Sequence, residues 1–253
     1  MDLGLGGLRA LVTGGSKGIG LRCAEILAAE GAAVSLCART APDVERAVSS
    51  LKASGAIAFG TPVDVSDKGA LETWVRSSAE ALGGIDIVIG NVSALAVSDD
   101  EDAWKAGFDT DIMHSVRLVN TAMPWLEKSK APSITLISSV SGREVDFTGP
   151  AYGAFKAALV HYTKGLAWKL AAKGIRANSV SPGNTYFDGG IWQGIETGNP
   201  ALFAEALALN PTGRMAKPEE IARGAVFLAS PASSFTSGTN LLIDGALTKG
   251  VQL

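Results

Sequence analysis

The sequence predicts one doubly wound α/β domain, a parallel seven-stranded sheet with helices on both faces. Three observations carry this. Short apolar runs alternate with longer helical patterns along all 253 residues, as successive βαβ units require. The short runs are rich in Val, Ile and Leu without clean polar alternation, the pattern of strands covered on both sides. No Pro/Ser-rich linker, charge run or long repeat divides the chain, so residues 1–253 read as a single domain.

The first apolar run, 8–13 (LRALVT), ends in a glycine-rich turn, and a helical pattern at 18–30 follows, closed by Gly31. Strand patterns recur at 33–37, 57–61, 86–90, 133–138, 176–180 and 240–243, with helical patterns at 42–54, 67–82, 101–128, 150–173 and 217–229 between them. Gly174 ends the fifth helix, and Pro218 with Glu219 and Glu220 opens the last. Glycine accepts the left-handed conformation just past a helix, whereas proline and acidic residues favour its first turn. Right-handed crossovers are the expected connections. Segment 184–216 breaks this rhythm: it mixes aromatics and glycines where a compact connection would suffice. Long excursions of this kind are usually functional or disordered, so the expectation is either a substrate-covering lid, with Tyr186, Phe187, Ile191 and Trp192 facing substrate, or a segment whose apolar residues only cap the domain edge.

Composition narrows the function. Hydrophobic residues make up 47% of the chain against 19% charged, which places it with core-rich globular proteins and away from disorder. A net charge of −3 argues against a nucleic-acid surface, which shows a basic stripe. No apolar run is long enough to span a membrane. The N-terminus lacks the basic and apolar regions of a signal peptide, so a cytoplasmic protein is expected. Cys23 and Cys37 have no metal-ligand spacing and read as buried free thiols; no metal is expected.

The turn after the first strand reads Thr13-Gly14-Gly15-Ser16-Lys17-Gly18-Ile19-Gly20. Between a parallel strand and a helix, glycines let backbone N–H groups reach a pyrophosphate at the helix N-terminus. Gly14, Ser16, Lys17, Gly18, Ile19 and Gly20 are therefore expected to hold a dinucleotide. A site selecting NAD places Asp or Glu about twenty residues further on, but this chain reads Cys37-Ala38-Arg39-Thr40 there. Arg39 and Lys17 suit a 2′-phosphate instead, so NADP(H) is expected in preference to NAD(H). Asp64 and Val65, at the end of the third strand, are placed to meet the adenine. Further along, Tyr152 and Lys156 stand at i and i+4 of a helical pattern and so leave it on one face. Ser139 lies just past the fifth strand.

Together these features resemble the short-chain dehydrogenase/reductase family over essentially the whole chain. Residues 13–20 are similar to its TGxxxGxG turn, and Tyr152-Gly153-Ala154-Phe155-Lys156 to its YxxxK motif, with Ser139 at the expected distance upstream. Ser181-Pro182-Gly183 resembles its PG turn, and the C-terminal Pro218–Ala222 and Leu242–Gly245 stretches match later features. The resemblance implies a Rossmann-like sheet and a homotetramer or homodimer. It also implies an NADPH-dependent reductase that takes a ketone to a secondary alcohol. Tyr152 would be the proton donor and Lys156 would favour its phenolate, since a phenol titrates near 10 in water. Ser139 would hydrogen-bond the substrate oxygen, and Ser141 is a nearby hydroxyl. Asn91, Pro182, Gly183 and Thr185 would complete the cofactor site. The expected substrate is a small hydrophobic ketone. The alternatives are an alcohol dehydrogenase running in the oxidative direction, or a catalytically impaired NADP(H)-binding regulatory protein.

The chain departs from the family at four places. Asp111 stands where an asparagine usually holds a relay water beside the lysine, which implies an altered pH profile. Val92 and Ser93 replace two small residues after Asn91. Phe187 replaces a common threonine, with Thr185 as a possible substitute, and Ala246 replaces a second glycine. His114, one turn beyond Asp111, reads as a helix-face residue and not a catalyst.

Overall fold

The structure is a computed structural model and describes residues 2–251. Seven strands form one sheet in the order β3-β2-β1-β4-β5-β6-β7. They are β1 (Arg9–Thr13), β2 (Ala33–Ala38), β3 (Ala58–Pro62), β4 (Ile87–Gly90), β5 (Ser133–Ile137), β6 (Arg176–Pro182) and β7 (Asn240–Ile243). All six pairings are parallel. Every strand position read from the sequence is recovered, shifted by a residue or two at the ends.

The apolar strands do alternate, but between two cores. Ala10 and Val12 of β1, with Ile87 and Ile89 of β4, face a cluster built with α1 (Gly18–Ala29), α2 (Ala41–Ala53) and α9 (Pro218–Ala229). Leu11 and Val88 point the other way, toward α3 (Lys68–Leu82), α5 (His114–Leu126) and α6 (Pro150–Leu170). Because both faces are covered, both phases of the strand period are hydrophobic. Full burial of one such Leu, Ile or Val side chain contributes about 1.5–3 kcal/mol, so truncating Leu11 to alanine is expected to cost about 2–5 kcal/mol.

Helix ends follow local chemistry. Asp67 caps α3, its side chain accepting from the Ala70 N–H, and Gly83 closes that helix at φ +75°. Glu220 returns to the Lys217 N–H at 2.8 Å and so locks the start of α9. The pattern at 101–128 is not one helix. The chain forms α4 (Glu101–Gly107), a π-helical turn over Phe108–Met113, and then α5. Such a turn widens the helix by one residue and often marks a functional position; this one carries Asp111.

Segment 184–216 folds as two short helices, α7 (Ile191–Gly198) and α8 (Pro200–Ala208). Trp192, Ala206 and Met215 form a small core of their own, with Tyr186 and Phe203 packed around it. The base is pinned by backbone bonds, Tyr186 N–H to Ala216 C=O at 2.9 Å and Ala216 N–H to Asn184 C=O at 2.8 Å. Among the described residues no helix is long and apolar enough to cross a membrane. Cys23 and Cys37 are buried and unpaired; burial pushes the Cys23 thiol up to about 12.

Candidate active site

The strand order reverses between β1 and β4. At such a switch point the connections diverge and leave a crevice beyond the strand ends. The turn after β1, Asn91 after β4, Ser139 after β5 and Pro182 at the end of β6 all meet there.

Close packing explains the glycines. A Cβ placed on Gly20 would lie 2.2 Å from the Gly14 carbonyl oxygen and 2.6 Å from Asn91 Nδ2. Gly14 and Gly18 have φ of +65° and +53°, a region costly for other residues. Asn91 ties β4 to this turn. Its N–H donates to Thr13 Oγ1 at 3.0 Å, and its amide donates to the Thr13 and Gly14 carbonyls at 3.3 Å. The fully buried His114 completes the junction. Its Nδ1 lies 3.1 Å from the Thr110 carbonyl and its Nε2 lies 3.0 Å from Thr13 Oγ1. A carbonyl only accepts, so Nδ1 carries the proton and Nε2 accepts from the Thr13 hydroxyl. Burial pushes this imidazole down to about 4, which keeps it neutral and structural.

Lys156 and Asp111 form an ion pair at 2.9 Å, each side chain only 2% exposed. The ammonium approaches Oδ1 off the hydrogen-bonding direction and donates to the Ile137 carbonyl at 3.3 Å. Asp111 Oδ2 accepts the Ala94 N–H at 3.1 Å, so the carboxylate also fastens the loop after β4. Burial opposes the Lys156 charge, yet Asp111, and after it Tyr152, hold the lysine above its ordinary value. Its ammonium lies 5.5 Å from the centre of the Tyr152 ring. Ser138 acts elsewhere, its hydroxyl donating to the Lys156 carbonyl at 2.8 Å and fixing α6 against β5.

Ser139 begins a chain of hydroxyls. Its Oγ accepts the Ser141 N–H at 3.1 Å and donates to Ser141 Oγ at 3.1 Å. Ser141 Oγ donates to Asp146 Oδ2 at 2.5 Å. Thr148 anchors Asp146 Oδ1 through its N–H at 2.9 Å and its hydroxyl at 2.6 Å.

These groups surround one cavity of about 260 Å³. Ser139, Ser141, Tyr152 and Lys156 line it together with Lys17, Gly18, Ile19, Asn91, Pro182, Gly183 and Thr185. From the excursion after β6 it takes Phe187, Ile191 and Trp192. The Phe187 ring lies over Gly18, 2.6 Å from a Cβ placed there. Tyr186 is turned away: its hydroxyl donates to Glu196 at 2.5 Å and its ring packs on Phe203. Asp111 sits behind Lys156, outside the cavity wall. Gly14, Ser16, Gly20, Arg39, Asp64 and Val65 do not line the cavity: Gly14 and Ser16 lie in the turn after β1, Gly20 in α1, and Arg39, Asp64 and Val65 just past β2 and β3, with Arg39 exposed. Hydrogen bonds from the Ser66 hydroxyl and N–H, with Arg39 nearby, hold Asp64 below the usual carboxylate range.

Sequence reasoning missed three things here. Leu95, Val97 and Phe147 line the cavity from loops whose folding back no periodicity signals. Asp146, between Ser139 and Tyr152, carried a cue in its position alone. Lys17 does not stand free, since its ammonium lies 2.8 Å from Asp43 Oδ2, and Arg46 pairs with the same carboxylate. Among the described residues no three His, Cys, Asp or Glu side chains group as metal ligands.

Known proteins share this architecture. The family described as Enoyl-(Acyl carrier protein) reductase matches residues 14–248. The chain is 43% identical to isoepoxydon dehydrogenase of Penicillium expansum, covering 100% of this chain and 99% of that one. It is 31% identical to the 3-oxoacyl-[acyl-carrier-protein] reductase of Chlamydia pneumoniae, over 98% of this chain and all of the other. Among solved structures, L-sorbose reductase from Gluconobacter frateurii, complexed with NADPH and L-sorbose, superposes with a TM-score of 0.90. That match has 29% identity and covers 99% of this chain and 100% of that one. Sequence similarity and fold thus agree over the full length on both sides of each comparison, and the chain belongs to the short-chain dehydrogenase/reductase family of oxidoreductases.

Proposed function

We propose that the protein is an NADP(H)-dependent oxidoreductase that interconverts a ketone and a secondary alcohol, with ketone reduction as its forward direction. One observation carries the reading: Ser139, Tyr152 and Lys156 line a single cavity together with the glycine turn. The residues present fit a dinucleotide. Gly14 and Gly18 hold positive φ and Gly20 packs too closely on the Gly14 carbonyl for any Cβ, which fixes a tight turn at the N-terminus of α1, where backbone N–H groups and the helix dipole favour phosphate. Ser16, Lys17, Ile19, Asn91, Pro182, Gly183 and Thr185 would line the dinucleotide's site, with Arg39 toward a 2′-phosphate and Asp64 and Val65 toward the adenine. The bound cofactor supplies hydride exchange at the substrate carbon.

The chain's own residues handle the oxygen and its proton. Tyr152 gives its phenolic proton to the oxygen in reduction and takes it back in oxidation. The ammonium of Lys156 stands 5.5 Å from the centre of the Tyr152 ring, and Asp111 holds that lysine above its ordinary value and so charged. Ser139 lies against the same oxygen. Phe187, Ile191, Trp192 and Ile195 from the excursion after β6 close the cavity with apolar surface, which supports a lid role for 184–216 and a substrate with a hydrophobic body. The solvent-facing Trp168 and Phe235 are surface that a homotetramer or homodimer would cover. The oxidative direction is the second reading, favoured by the dehydrogenase names of two relatives at 43% and 40% identity.

Fluorescence titration of NADPH and NADH on wild type and Arg39→Ala tests the cofactor assignment. A preference for NADPH that falls about tenfold or more in the variant is expected, since a charge-assisted hydrogen bond contributes about 1.5–3 kcal/mol. Equal binding of both nucleotides, unmoved by the substitution, would overturn it.

A further inference from the structure

Among the described residues, the charged side chains lining the cavity are Lys17, Asp146 and Lys156, so its wall holds a single acid. Both lysines have partners. Lys17 pairs with Asp43, and Lys156 pairs with Asp111 behind the wall. Asp146 makes no ion pair with any described residue. Its hydrogen bonds are also uneven. Oδ1 accepts twice, from the N–H and the hydroxyl of Thr148, whereas Oδ2 accepts once, from the Ser141 hydroxyl. A carboxylate oxygen offers two lone pairs, so Oδ1 is filled and Oδ2 has one left.

The fold sets that lone pair close to the reacting end of the cavity. Ser139 Oγ and Asp146 Oδ2 each bond Ser141 Oγ, at 3.1 and 2.5 Å, and lie no further apart than those two lengths together. Phe147, the next residue, packs edge-on against Trp192 of α7 with ring centres 5.4 Å apart. The loop after β5 thus runs from Ser139 to the excursion after β6, and Asp146 stands on it between the two. The other side chains toward this end are apolar, Leu95 and Val97 with Phe147 and Trp192.

We propose that Asp146 selects a ketone bearing a hydroxyl on the carbon next to its carbonyl, or one carbon further, and accepts the hydrogen bond of that hydroxyl on Oδ2. This rests on the oxidoreductase reading above, with Ser139 against the carbonyl oxygen. The short gap between the two residues lets one small molecule meet both, and its carbon frame then lies on the apolar wall. A hydroxyl brings one donor to one lone pair, and a bond to a charged acceptor is among the stronger ones. A cationic ketone fits worse, because it shares the cavity with the ammonium of Lys156, a like charge. Asp146 touches the substrate away from the reacting carbon, so its bond is made alike before and during reaction and bears on KM more than on kcat.

Steady-state reduction of cyclohexanone, 2-hydroxycyclohexanone and 3-hydroxycyclohexanone tests this in wild type, Asp146→Asn and Thr148→Val. In Asp146→Asn the amide oxygen can keep the Thr148 bonds, while the NH₂ group, which cannot accept, takes the Oδ2 place. Asp146 is exposed and water competes there, so the effect belongs at the low end for a charged hydrogen bond. Wild type should favour a hydroxyketone over cyclohexanone about tenfold in kcat/KM, and Asp146→Asn should lose about tenfold of that ratio, mostly through KM. Thr148→Val loosens the same turn but leaves the carboxylate, so its ratio should stay within about threefold of wild type. The ratio cancels any loss of folding or chemistry common to both ketones, and the wild-type value depends on no variant. A wild-type ratio near one, or a ratio unmoved in Asp146→Asn, overturns the proposal and leaves the oxidoreductase reading standing. A preference for 3-quinuclidinone, a cationic ketone, that collapses in Asp146→Asn overturns it too, in favour of a cation site. A wild type that reduces no ketone of the panel with NADPH or NADH, and oxidises none of their alcohols with NADP⁺ or NAD⁺, removes the oxidoreductase reading and the proposal with it.

Discussion

Exchanging Asp111 for asparagine keeps the shape of the side chain and deletes one charge from a fully buried pair. At the observed 2.9 Å, and with an effective dielectric of about 20, the attraction deleted is about 6 kcal/mol. Desolvation of both groups offsets much of that in wild type, but removing one partner leaves the other buried and uncompensated, at a cost of about 3–5 kcal/mol. The amide oxygen of asparagine still accepts a hydrogen bond, so Asp111→Asn should lose about 3 kcal/mol of stability, near the lower end. The sign of the pH dependence gives an independent check. In wild type Lys156 is held above its ordinary 10.5, so its contribution is fully present below 10.5 and is lost only as pH rises beyond. In Asp111→Asn burial remains while the raising charge is gone, so the lysine falls below its ordinary value. The unfolded chain then binds more protons, and the stability of the variant rises with pH. Urea unfolding at several pH values between about 6 and 9 reads both effects. A variant within about 1 kcal/mol of wild type at neutral pH, with no added upward slope, would refute the assignment of Asp111 as the charge that sustains Lys156.

Three further outcomes are expected. Tyr152→Phe should lower kcat by roughly 10²–10⁴ while NADPH titration stays within about threefold of wild type, and undiminished turnover would remove Tyr152 from the chemistry. Gly20→Ala places a methyl 2.2 Å from a backbone oxygen, a clash that no side-chain motion relieves, and should weaken nucleotide binding by calorimetry about tenfold or more. His114 is held neutral, with its ordinary 6.5 pushed down to about 4. It binds fewer protons than the unfolded chain between those values, so wild type should lose roughly 3 kcal/mol as pH falls through that window. His114→Gln should flatten the slope over the same range, and an unchanged slope would assign the acid sensitivity to other groups.

The fold was legible because its strands are short, apolar and evenly spaced, and because Gly31, Gly174 and Pro218 punctuate the helices where the chain turns. The segment 101–128 misled for a physical reason. A π-helical turn inserts one residue without disturbing the apolar pattern on either side, so periodicity reads straight through Phe108–Met113. Ser139, Tyr152 and Lys156 could be found because their spacing is local. Contacts that depend on distant elements could not: Lys17 meets Asp43 from the start of α2, and Tyr186 turns inward onto Phe203 within the excursion after β6. Asp146 is a third such case, since its bearing on Ser139 arises only when the loop after β5 folds back and Ser141 joins the two.

The strand order also carries a consequence for how the chain reaches this state. Its first strand is a central one, and Leu11 pairs in register with Val88, so the middle of the sheet cannot close until most of the first ninety residues exist. Each parallel pairing likewise waits for a whole crossover, as Ser179 waits for Asn240. Contacts of such long sequence separation demand loop closure before any burial rewards it. Refolding is therefore expected to be slow, on the order of milliseconds to seconds or longer, and the apolar β1 strand is left exposed to other chains in the interval. Crowding and temperature during synthesis should accordingly govern the yield of native protein more than its final stability does.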